Sequence, residues 1–202
     1  MEKRSKIIIL SLMLITFFIL GLMVKGSSEG ILFDMKIMEY VHNETNPIIL
    51  AFMKFISFIG SERFLFPAAT MVIAYTLVKK NYYLSKLLLL STLGSYLLNY
   101  SLKQIFQRTR PLKYFLVEQG GFSFPSGHSM VTMTLYSTIA FLLAKKAESK
   151  EKKRTIHIAA FVIICLMGIS RIYLGVHWPT DVIGGYLAGY LFYYLSVNLV
   201  KE

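Results

Sequence analysis

Long apolar runs separated by short polar or charged segments dominate the chain, and they predict helices that cross a membrane. Residues 7–24 form an apolar stretch without a charged side chain. A helix of that length, rising about 1.5 Å per residue, crosses most of the hydrocarbon core of a bilayer. Five further apolar runs follow, at residues 64–78, 83–105, 130–144, 156–169 and 179–200. The pattern therefore predicts an all-α bundle of six transmembrane helices.

The region between the first two predicted spans is more polar. Residues 26–30 are rich in glycine and serine, and residues 31–42 mix apolar and charged side chains at helical spacing. Asp34, Lys36 and Glu39 make this amphipathic segment too polar to span, so it is predicted to lie at the membrane surface. Residues 47–60 are apolar but short and contain a lysine. They are interpreted as an interfacial or half-inserted helix, and the sequence leaves open whether they cross.

Composition places the whole chain, residues 1–202, in one membrane-embedded domain. Hydrophobic residues make up 55% of the sequence and charged residues 16%, and the mean hydropathy is +0.55. These values are unusual for a soluble domain. The single cysteine, Cys165, excludes a disulfide within the chain and a cysteine metal cluster. The first run lacks a small-x-small cleavage site and is expected to remain as an anchor.

The distribution of basic residues predicts the orientation of the bundle. The formal net charge is +11, but the cations lie between apolar runs, which favours topology signals over nucleic-acid binding. Six spans with a cytoplasmic N-terminus place both termini on the cytoplasmic side, together with Lys3, Arg4, Lys6, Lys79, Lys80, Lys145, Lys146, Lys150, Lys152, Lys153, Arg154 and Lys201. Five cations fall on the opposite side and need another explanation: Lys103, Arg108, Arg110, Lys113 and Arg171.

These exceptional cations belong to three short segments that also carry serine, histidine and aspartate. The segments are residues 103–111 (KQIFQRTRP), 124–129 (FPSGHS) and 170–181 (SRIYLGVHWPTD). In the six-span arrangement all three lie at the outer ends of spans three to six. We therefore expect them to converge at one face of the membrane.

The residue types in these segments are those that phosphoryl transfer requires. Lysine and arginine bind phosphate oxygens, arginine with two donors at once, and a helix that begins at Ser126-Gly127 adds backbone N–H donors. His177 and His128 can serve as nucleophile and general acid. Asp181 follows His177 by about one helical turn, so its carboxylate could orient the imidazole. In such a site protein cations take the place of metal ions.

The three segments together resemble the signature of the type 2 phosphatidic acid phosphatase superfamily: K-x6-R-P, P-S-G-H and S-R-x5-H-x3-D, over residues 103–181. The resemblance implies that His177 attacks phosphorus to form a phosphohistidine and that Asp181 orients His177. It implies that His128 protonates the leaving oxygen and later activates water. It also implies a phosphate site without metal or other cofactor, formed by Lys103, Arg110, Ser126, Gly127 and Arg171. The family includes soluble vanadium haloperoxidases, against which the many predicted spans argue.

A lipid phosphate is the expected substrate, because a site at the membrane face lets the lipid tail stay in the bilayer. Similarity to compact bacterial members of the family implies hydrolysis of phosphatidylglycerophosphate to phosphatidylglycerol, on the extracytoplasmic side of the cell membrane. Undecaprenyl diphosphate is the alternative, phosphatidic acid and diacylglycerol pyrophosphate stay open, and no nucleic acid or required protein partner is expected. A non-catalytic transporter or scaffold is the rival class, but it would not need His128 or the spacing of His177 and Asp181.

Three residues near the motifs keep two interpretations. Arg108 and Lys113 either extend to lipid headgroups or contact the substrate. Trp178 is expected in an aromatic belt at the membrane interface, with a wall of the site as the alternative.

Glycines suggest where the backbone comes close to other groups or stays flexible. Glu118, Gly120 and Gly121 precede the second motif and are predicted to form a flexible rim at the substrate entrance. Gly185 and Gly189 form a small-x3-small pair in the last span. We expect this pair to pack the span closely inside the bundle, with a dimer contact as the alternative.

Overall fold

The computed structural model describes residues 2–201, with side chains from residue 4 onward. The side chain of Lys3, assigned above to the cytoplasmic charges, and the end residues Met1 and Glu202 of the predicted domain lie outside the described part. Residues 2–201 are helical and contain no strand. Their helices are α1 (Glu2–Val24), α2 (Asp34–His42), α3 (Pro47–Ile59), α4 (Glu62–Val78), α5 (Tyr82–Leu89), α6 (Ser95–Phe106), α7 (Gly127–Lys146), α8 (Lys150–Tyr173) and α9 (Pro179–Leu199).

Four helices of the described chain are long and apolar enough to cross a membrane: α1 from Arg4 onward, α7, α8 and α9. α4 is shorter, with 17 residues. The run predicted at residues 83–105 is one helical rod, because a π-helical turn, Leu90–Gly94, joins α5 to α6 without a break. The all-helical class is therefore confirmed, with four candidate spans, and the total of six stays a prediction.

α7 lies at the centre of the bundle and packs against α6, α8 and α9. Small hydroxyl groups make the polar contacts in this core. Ser91 Oγ lies 2.8 Å from Thr138 Oγ1, and Ser95 Oγ lies 3.1 Å from Thr134 Oγ1. Each hydroxyl thus finds a partner inside the protein, as apolar surroundings require. These hydrogen-bonded pairs fix the rotation of the α5–α6 rod about its own axis relative to α7.

Glycines on α9 let this helix approach α7 closely. A methyl group at Gly185 would lie 2.7 Å from the carbonyl oxygen of Ser126, and one at Gly189 would lie 2.5 Å from that of Met130. Both glycines face the interior, so the predicted close packing inside the bundle is confirmed. The pair sets the distance between the helix that carries Asp181 and the start of α7.

α2 packs against α8 and α9. Its apolar side is anchored by Met38, which is fully buried in a cluster with Tyr114 and Trp178. Asp34 is also fully buried, although the amphipathic pattern places it on the polar side of the helix. The segment predicted to lie at the surface is therefore partly internal, because the Asp34 carboxylate finds partners inside the protein.

α3 is a short helix that follows a well-formed cap. The side chain of Asn46 accepts hydrogen bonds from the backbone N–H groups of Ile48 and Ile49, at 2.8 and 3.3 Å. The helix packs against α8, and its Ser57 is buried. Its 13 residues are fewer than a single crossing requires.

Backbone hydrogen bonds hold several helix ends together at one end of the bundle. Gly26 N donates to Phe106 O at 2.9 Å, which joins the ends of α1 and α6. Leu116 N donates to Leu174 O at 3.1 Å, which joins the α6–α7 loop, residues 107–126, to the end of α8. The first and third segments identified in the sequence therefore lie at this end, and Ser126 N, which donates to Asp181 O at 3.0 Å, joins the second segment to them, as predicted.

Replacing Gly185 by alanine is expected to destabilise the bundle, because the added methyl group would meet backbone atoms of α7. Overpacking of this kind costs about 1–3 kcal/mol. The thermal unfolding midpoint in detergent should fall accordingly. Gly120→Ala is the control, since a methyl group there meets no atom within 4 Å. An unchanged midpoint for Gly185→Ala would contradict the close contact between α7 and α9.

Candidate active site

A cavity of about 710 Å³ lies at the end of the bundle where the three segments meet. Its walls come from α3, α4, α6, α7, α8, the 107–126 loop and the turn before α9. Six of the eight predicted site residues line it: Lys103, Arg110, Gly127, His128, Arg171 and His177. Ser126 and Asp181 are fully buried behind its wall. The structure thus brings all eight residues together around one space.

A tight turn between α8 and α9 places His177 at the cavity. Gly175 adopts a φ of +73°, and a side chain there would meet the carbonyl oxygen of Tyr114 at 1.7 Å, so only glycine fits. Helix α9 then begins, with Asp181 in its first turn. Asp181 Oδ2 accepts a hydrogen bond from the backbone N–H of Trp178 at 2.8 Å. The helix start therefore fixes the carboxylate beside the imidazole.

Contacts on both ring nitrogens define the tautomer of His177. Arg110 Nη1 lies 3.0 Å from Nε2, and because a guanidinium only donates, Nε2 must accept and carries no proton. In the neutral ring Nδ1 then bears the proton, and it lies 3.4 Å from Asp181 Oδ2 and 3.3 Å from Ser123 Oγ. This is the tautomer that a nucleophilic Nε2 requires.

Burial and neighbouring cations keep the His177 ring neutral. Loss of hydration lowers the pKa of His177 well below its ordinary value, and Arg110, Lys103 and Arg171 lower that pKa further. A neutral imidazole retains the lone pair that attack on phosphorus needs. The same cations that would bind a phosphate therefore also prepare the ring to attack it.

Arg110 is held rigidly beside His177 Nε2. Its guanidinium donates, over distances of 2.7–3.3 Å, to the carbonyl oxygens of Gly120, Gly121, Phe122 and Val176. Burial lowers the pKa of Arg110 to about 10, and Asp181 acts in the opposite direction. The guanidinium thus stays charged at neutral pH and can bind an anion next to the nucleophile.

Lys103 and Arg171 are the other two predicted phosphate-binding cations. Lys103 Nζ donates to the carbonyl oxygens of residues 122 and 123. Arg171 donates to Ser57 Oγ, and at 3.0 Å to Gln119 Oε1. The α6–α7 loop therefore supplies oxygen atoms to these two cations and to Arg110. A bound phosphate would compete for the same donors.

The second segment forms the N-terminus of α7. Ser126 Oγ caps the helix by accepting a hydrogen bond from the backbone N–H of Ser129 at 3.4 Å. Gly127 lies against Asn99, whose Oδ1 would be 3.0 Å from an added methyl group. Gly127 and His128 line the cavity in the first turn, where helix N–H groups attract anions. Ser126 therefore acts as the cap of this helix, from behind the cavity wall.

Arg108 is where the structure departs most from the interpretation of the sequence. Its side chain is fully buried, with Nη1 2.8 Å from Asp181 Oδ1 and Nη2 2.7 Å from Asp34 Oδ2. Both interpretations, contact with headgroups and contact with substrate, are wrong, because two carboxylates hold the guanidinium behind the site. The available signal was Asp34, because the six-span arrangement puts the segment after the first span on the same membrane face as the unexplained cations.

Ser123 and Trp178 also contribute, and their roles were missed. Ser123 Oγ donates a hydrogen bond to Asp181 Oδ2, yet Ser123 lies outside the three motifs and has no sequence signal. Trp178 is buried, and its Nε1 donates to Thr109 O at 3.1 Å. The expectation of a place in the interfacial belt is therefore wrong for Trp178, because its polar atom finds a partner inside the protein.

The predicted rim lies at the cavity. Glu118, Gly120 and Gly121 line it, and all three are exposed. Lys113 is exposed as well, with Nζ 5.4 Å from the ring of Tyr114, and it is not among the residues that line the cavity. Of the two interpretations of Lys113, substrate contact therefore gains no support.

Comparisons with known proteins connect this geometry to a family. The family described as the PAP2 superfamily matches residues 85–202. Phosphatidylglycerophosphatase B of Bacillus subtilis (strain 168) is 40% identical over 141 residues, 69% of this chain and 70% of that protein. An undecaprenyl-diphosphatase of Sulfolobus acidocaldarius is 26% identical over 196 residues, 93% of this chain and 89% of that protein. The crystal structure of a transmembrane PAP2-type phosphatidylglycerolphosphate phosphatase from Bacillus subtilis matches with a TM-score of 0.82, at 32% identity over 94% of each chain.

The cations around His177 predict how hydrolysis of a phosphate ester at this site depends on pH. The ratio kcat/KM reports ionisations of the free enzyme. Because the pKa of His177 is lowered, the neutral ring persists in acid. The acidic limb of the kcat/KM profile should therefore have its midpoint below about pH 6.5, the ordinary pKa of imidazole. Arg110→Gln removes one neighbouring cation, so the pKa of His177 should rise and the limb should move to higher pH.

Arg110→Lys is the matched control, since it keeps the charge and should move the acidic limb less. The substrate's own ionisation is common to all three enzymes and cancels in the comparison of midpoints. Identical midpoints for the wild type and Arg110→Gln would contradict the electrostatic coupling.

Proposed function

This chain belongs to the PAP2 superfamily, and from that premise we propose that it hydrolyses a membrane lipid phosphate through a phosphohistidine. One observation carries the proposal. His177 is a buried imidazole with Asp181 at Nδ1 and a charged guanidinium at Nε2, on the wall of a cavity that Lys103 and Arg171 also line. A transporter or scaffold would have no use for this arrangement.

In the first half-reaction, Nε2 of His177 attacks phosphorus, and the bond between phosphorus and the lipid oxygen breaks. Arg110 exchanges its contact with Nε2 for a phosphate oxygen, and Lys103 and Arg171 bind the other oxygens. His128 transfers a proton to the leaving oxygen. The lipid then departs, and the phosphoryl group stays on the imidazole.

In the second half-reaction, His128 removes a proton from water, and the water oxygen attacks phosphorus. The bond between phosphorus and Nε2 breaks, phosphate leaves, and His177 returns to its neutral form. Asp181 acts in both halves, since its carboxylate lies 3.4 Å from Nδ1 and stabilises the positive charge on the phosphorylated ring.

Protein cations are proposed to do the work that metal ions do in other phosphatases. Lys103, Arg110 and Arg171 surround the position where negative charge develops, and fixed cations in a dry site stabilise such charge strongly. Within residues 4–201, no group of three or more histidine, cysteine, aspartate or glutamate side chains is placed to hold a metal ion. Because the three cations can stabilise this charge themselves, we propose a metal-independent reaction.

Phosphatidylglycerophosphate is proposed as the substrate, with phosphatidylglycerol and phosphate as products. The proposal is supported by the relative from Bacillus subtilis at 40% identity, whose name states that activity. Undecaprenyl diphosphate is the second candidate, because the undecaprenyl-diphosphatase from Sulfolobus acidocaldarius aligns with 93% of this chain. Both substrates present a terminal phosphate to the cations while their tails stay in the bilayer.

Six spans with the site on the extracytoplasmic side are proposed as the topology. α4 and the α5–α6 rod would be the two spans beyond the four candidates. The orientation is supported by lysines at the helix ends away from the cavity, since basic residues favour the cytoplasmic side. These lysines are Lys79 and Lys80 after α4, and Lys145 and Lys146 at the end of α7. Both termini would then be cytoplasmic.

His177→Ala should reduce phosphate release from phosphatidylglycerophosphate on the order of 10⁴-fold or more, because loss of the nucleophile closes the covalent route. The assay is hydrolysis in detergent micelles with a chelator present throughout. His157→Ala is the matched control, since this histidine is exposed near the start of α8. Substantial activity in His177→Ala would rule out the phosphohistidine.

The same assay separates the other parts of the proposal. Loss of wild-type activity with chelator, restored by magnesium, would contradict the metal-independent reaction. A wild type that is silent on phosphatidylglycerophosphate but active on undecaprenyl diphosphate would reverse the ranking of substrates and leave the mechanism in place.

Thiol labelling tests the topology. In a Cys165→Ala background, Glu118→Cys at the cavity rim should react with a membrane-impermeant maleimide on intact cells. Glu148→Cys, in the loop between α7 and α8, is also exposed and should react only after the membrane is permeabilised. The opposite pattern would mean that the site faces the cytoplasm.

A further inference from the structure

A buried row of three charged side chains, Asp34, Arg108 and Asp181, lies behind His177. The three motifs include only part of this row. Arg108 stands between two carboxylates, with Nη1 2.8 Å from Asp181 Oδ1 and Nη2 2.7 Å from Asp34 Oδ2. All three side chains are fully buried. Asp34 comes from α2, outside the region covered by the motifs. The row therefore connects the reactive imidazole to a helix that the sequence placed at the membrane surface.

Arg108 determines which partners each oxygen of the Asp181 carboxylate contacts. The two oxygens are divided, because Oδ2 accepts from Trp178 N at 2.8 Å and faces His177 Nδ1, while Oδ1 accepts from Arg108. This division fixes the rotation of the carboxylate relative to the imidazole. A fully buried carboxylate also needs a cationic partner to stay ionised, and the closest one is the Arg108 guanidinium.

Asp34 in turn holds Arg108 in place. Its Oδ2 accepts from Arg108 and from Thr180 Oγ1, each at 2.7 Å, and its Oδ1 accepts from Thr180 N at 2.9 Å. The ring of Trp178 covers the guanidinium at 5.3 Å. Asp34 therefore positions the arginine and also caps the first turn of α9, the turn that carries Asp181.

The charges in this row complement the phosphorylated state of His177. The contacts of 2.7 and 2.8 Å between the two carboxylates and the Arg108 guanidinium favour ionised side chains, and an ionised row has a net charge of minus one. The imidazole is neutral at rest and becomes positive when phosphorus bonds to Nε2 while Nδ1 keeps its proton. The positive ring is then balanced. Without the charge of Asp34, the row on the buried side of the ring would be neutral and would no longer balance the positive imidazole.

We propose that Asp34 and Arg108 are positioning residues of the phosphatase reaction, which hold the Asp181 carboxylate ionised and aimed at His177 Nδ1. The inference rests on the proposed function, since it assigns these residues to the formation of the phosphohistidine. Their effect should appear in the chemical step. Substrate binding should change little, because Lys103 and Arg171 lie at the cavity and not in the row.

Asp34→Asn is the first test, because asparagine keeps the size of the side chain and an oxygen for Thr180 N but removes the charge. Outer partners that orient metal-binding histidines contribute about 10- to 100-fold, and by analogy we expect kcat to fall by a factor of that order while KM stays within about twofold. Single-turnover rates should fall with kcat. Glu39→Gln makes the same chemical change on the exposed side of α2 and should leave kcat unchanged.

Coupling to Asp181 separates positioning from a general effect on folding. In an Asp181→Asn background, adding Asp34→Asn should slow the single-turnover rate by less than about twofold, because the route through the carboxylate is already broken. Equal factors in both backgrounds would assign Asp34 to structure alone. The thermal unfolding midpoint of each variant, measured in detergent, shows that folded protein is compared.

Arg108→Lys is the second variant if Asp34→Asn does not fold. An ammonium cannot hold two carboxylates with the fixed fork of arginine, so kcat should fall with KM little changed. Failure of both variants to fold, or an unchanged kcat in either, overturns the proposal. Wild type and His177→Ala in the same assay test the proposed function separately, because its failure would show as an inactive wild type or an active His177→Ala.

Discussion

Asp181 places a carboxylate in a fully buried position at the start of an apolar helix, where an unpaired charge costs several kcal/mol. The rest of the site depends on how that charge is balanced. Arg108 balances it on one oxygen, while Trp178 N–H, Ser123 and His177 surround the other. The imidazole is held between this carboxylate at Nδ1 and Arg110 at Nε2, so its tautomer and direction follow from these two contacts.

The site is organised around two opposite charge distributions that meet at His177. On the cavity side Lys103, Arg110 and Arg171 form a cationic wall, suited to the oxygens of a phosphate. On the buried side the row that ends in Asp34 carries an excess of negative charge. In the proposed reaction, the imidazole between them accepts a phosphoryl group from the cationic side, and its developing charge is stabilised from the other side.

Packing of the helices keeps these parts in register. Glycines on α9 bring it close to α7, so the helix that carries Asp181 packs directly against the start of α7. The α6–α7 loop lies over the cations and supplies carbonyl oxygens to them. Membership of the PAP2 superfamily fits this division, since the matched residues 85–202 carry the cations, the imidazoles and Asp181. The region before them adds Asp34.

The sequence by itself determined the helical class, the family and the eight residues that meet at the cavity. It could do so because those features are local: apolar runs predict helices, and the spacing from His177 to Asp181 is one helical turn. Only the tertiary structure decided the partners of Arg108, the burial of Trp178 and the role of Asp34. Arg108 and Asp34 are 74 residues apart, and no local pattern records which cation a distant carboxylate will meet. That pairing depends on how α2 docks against α9, which is a property of the assembled bundle.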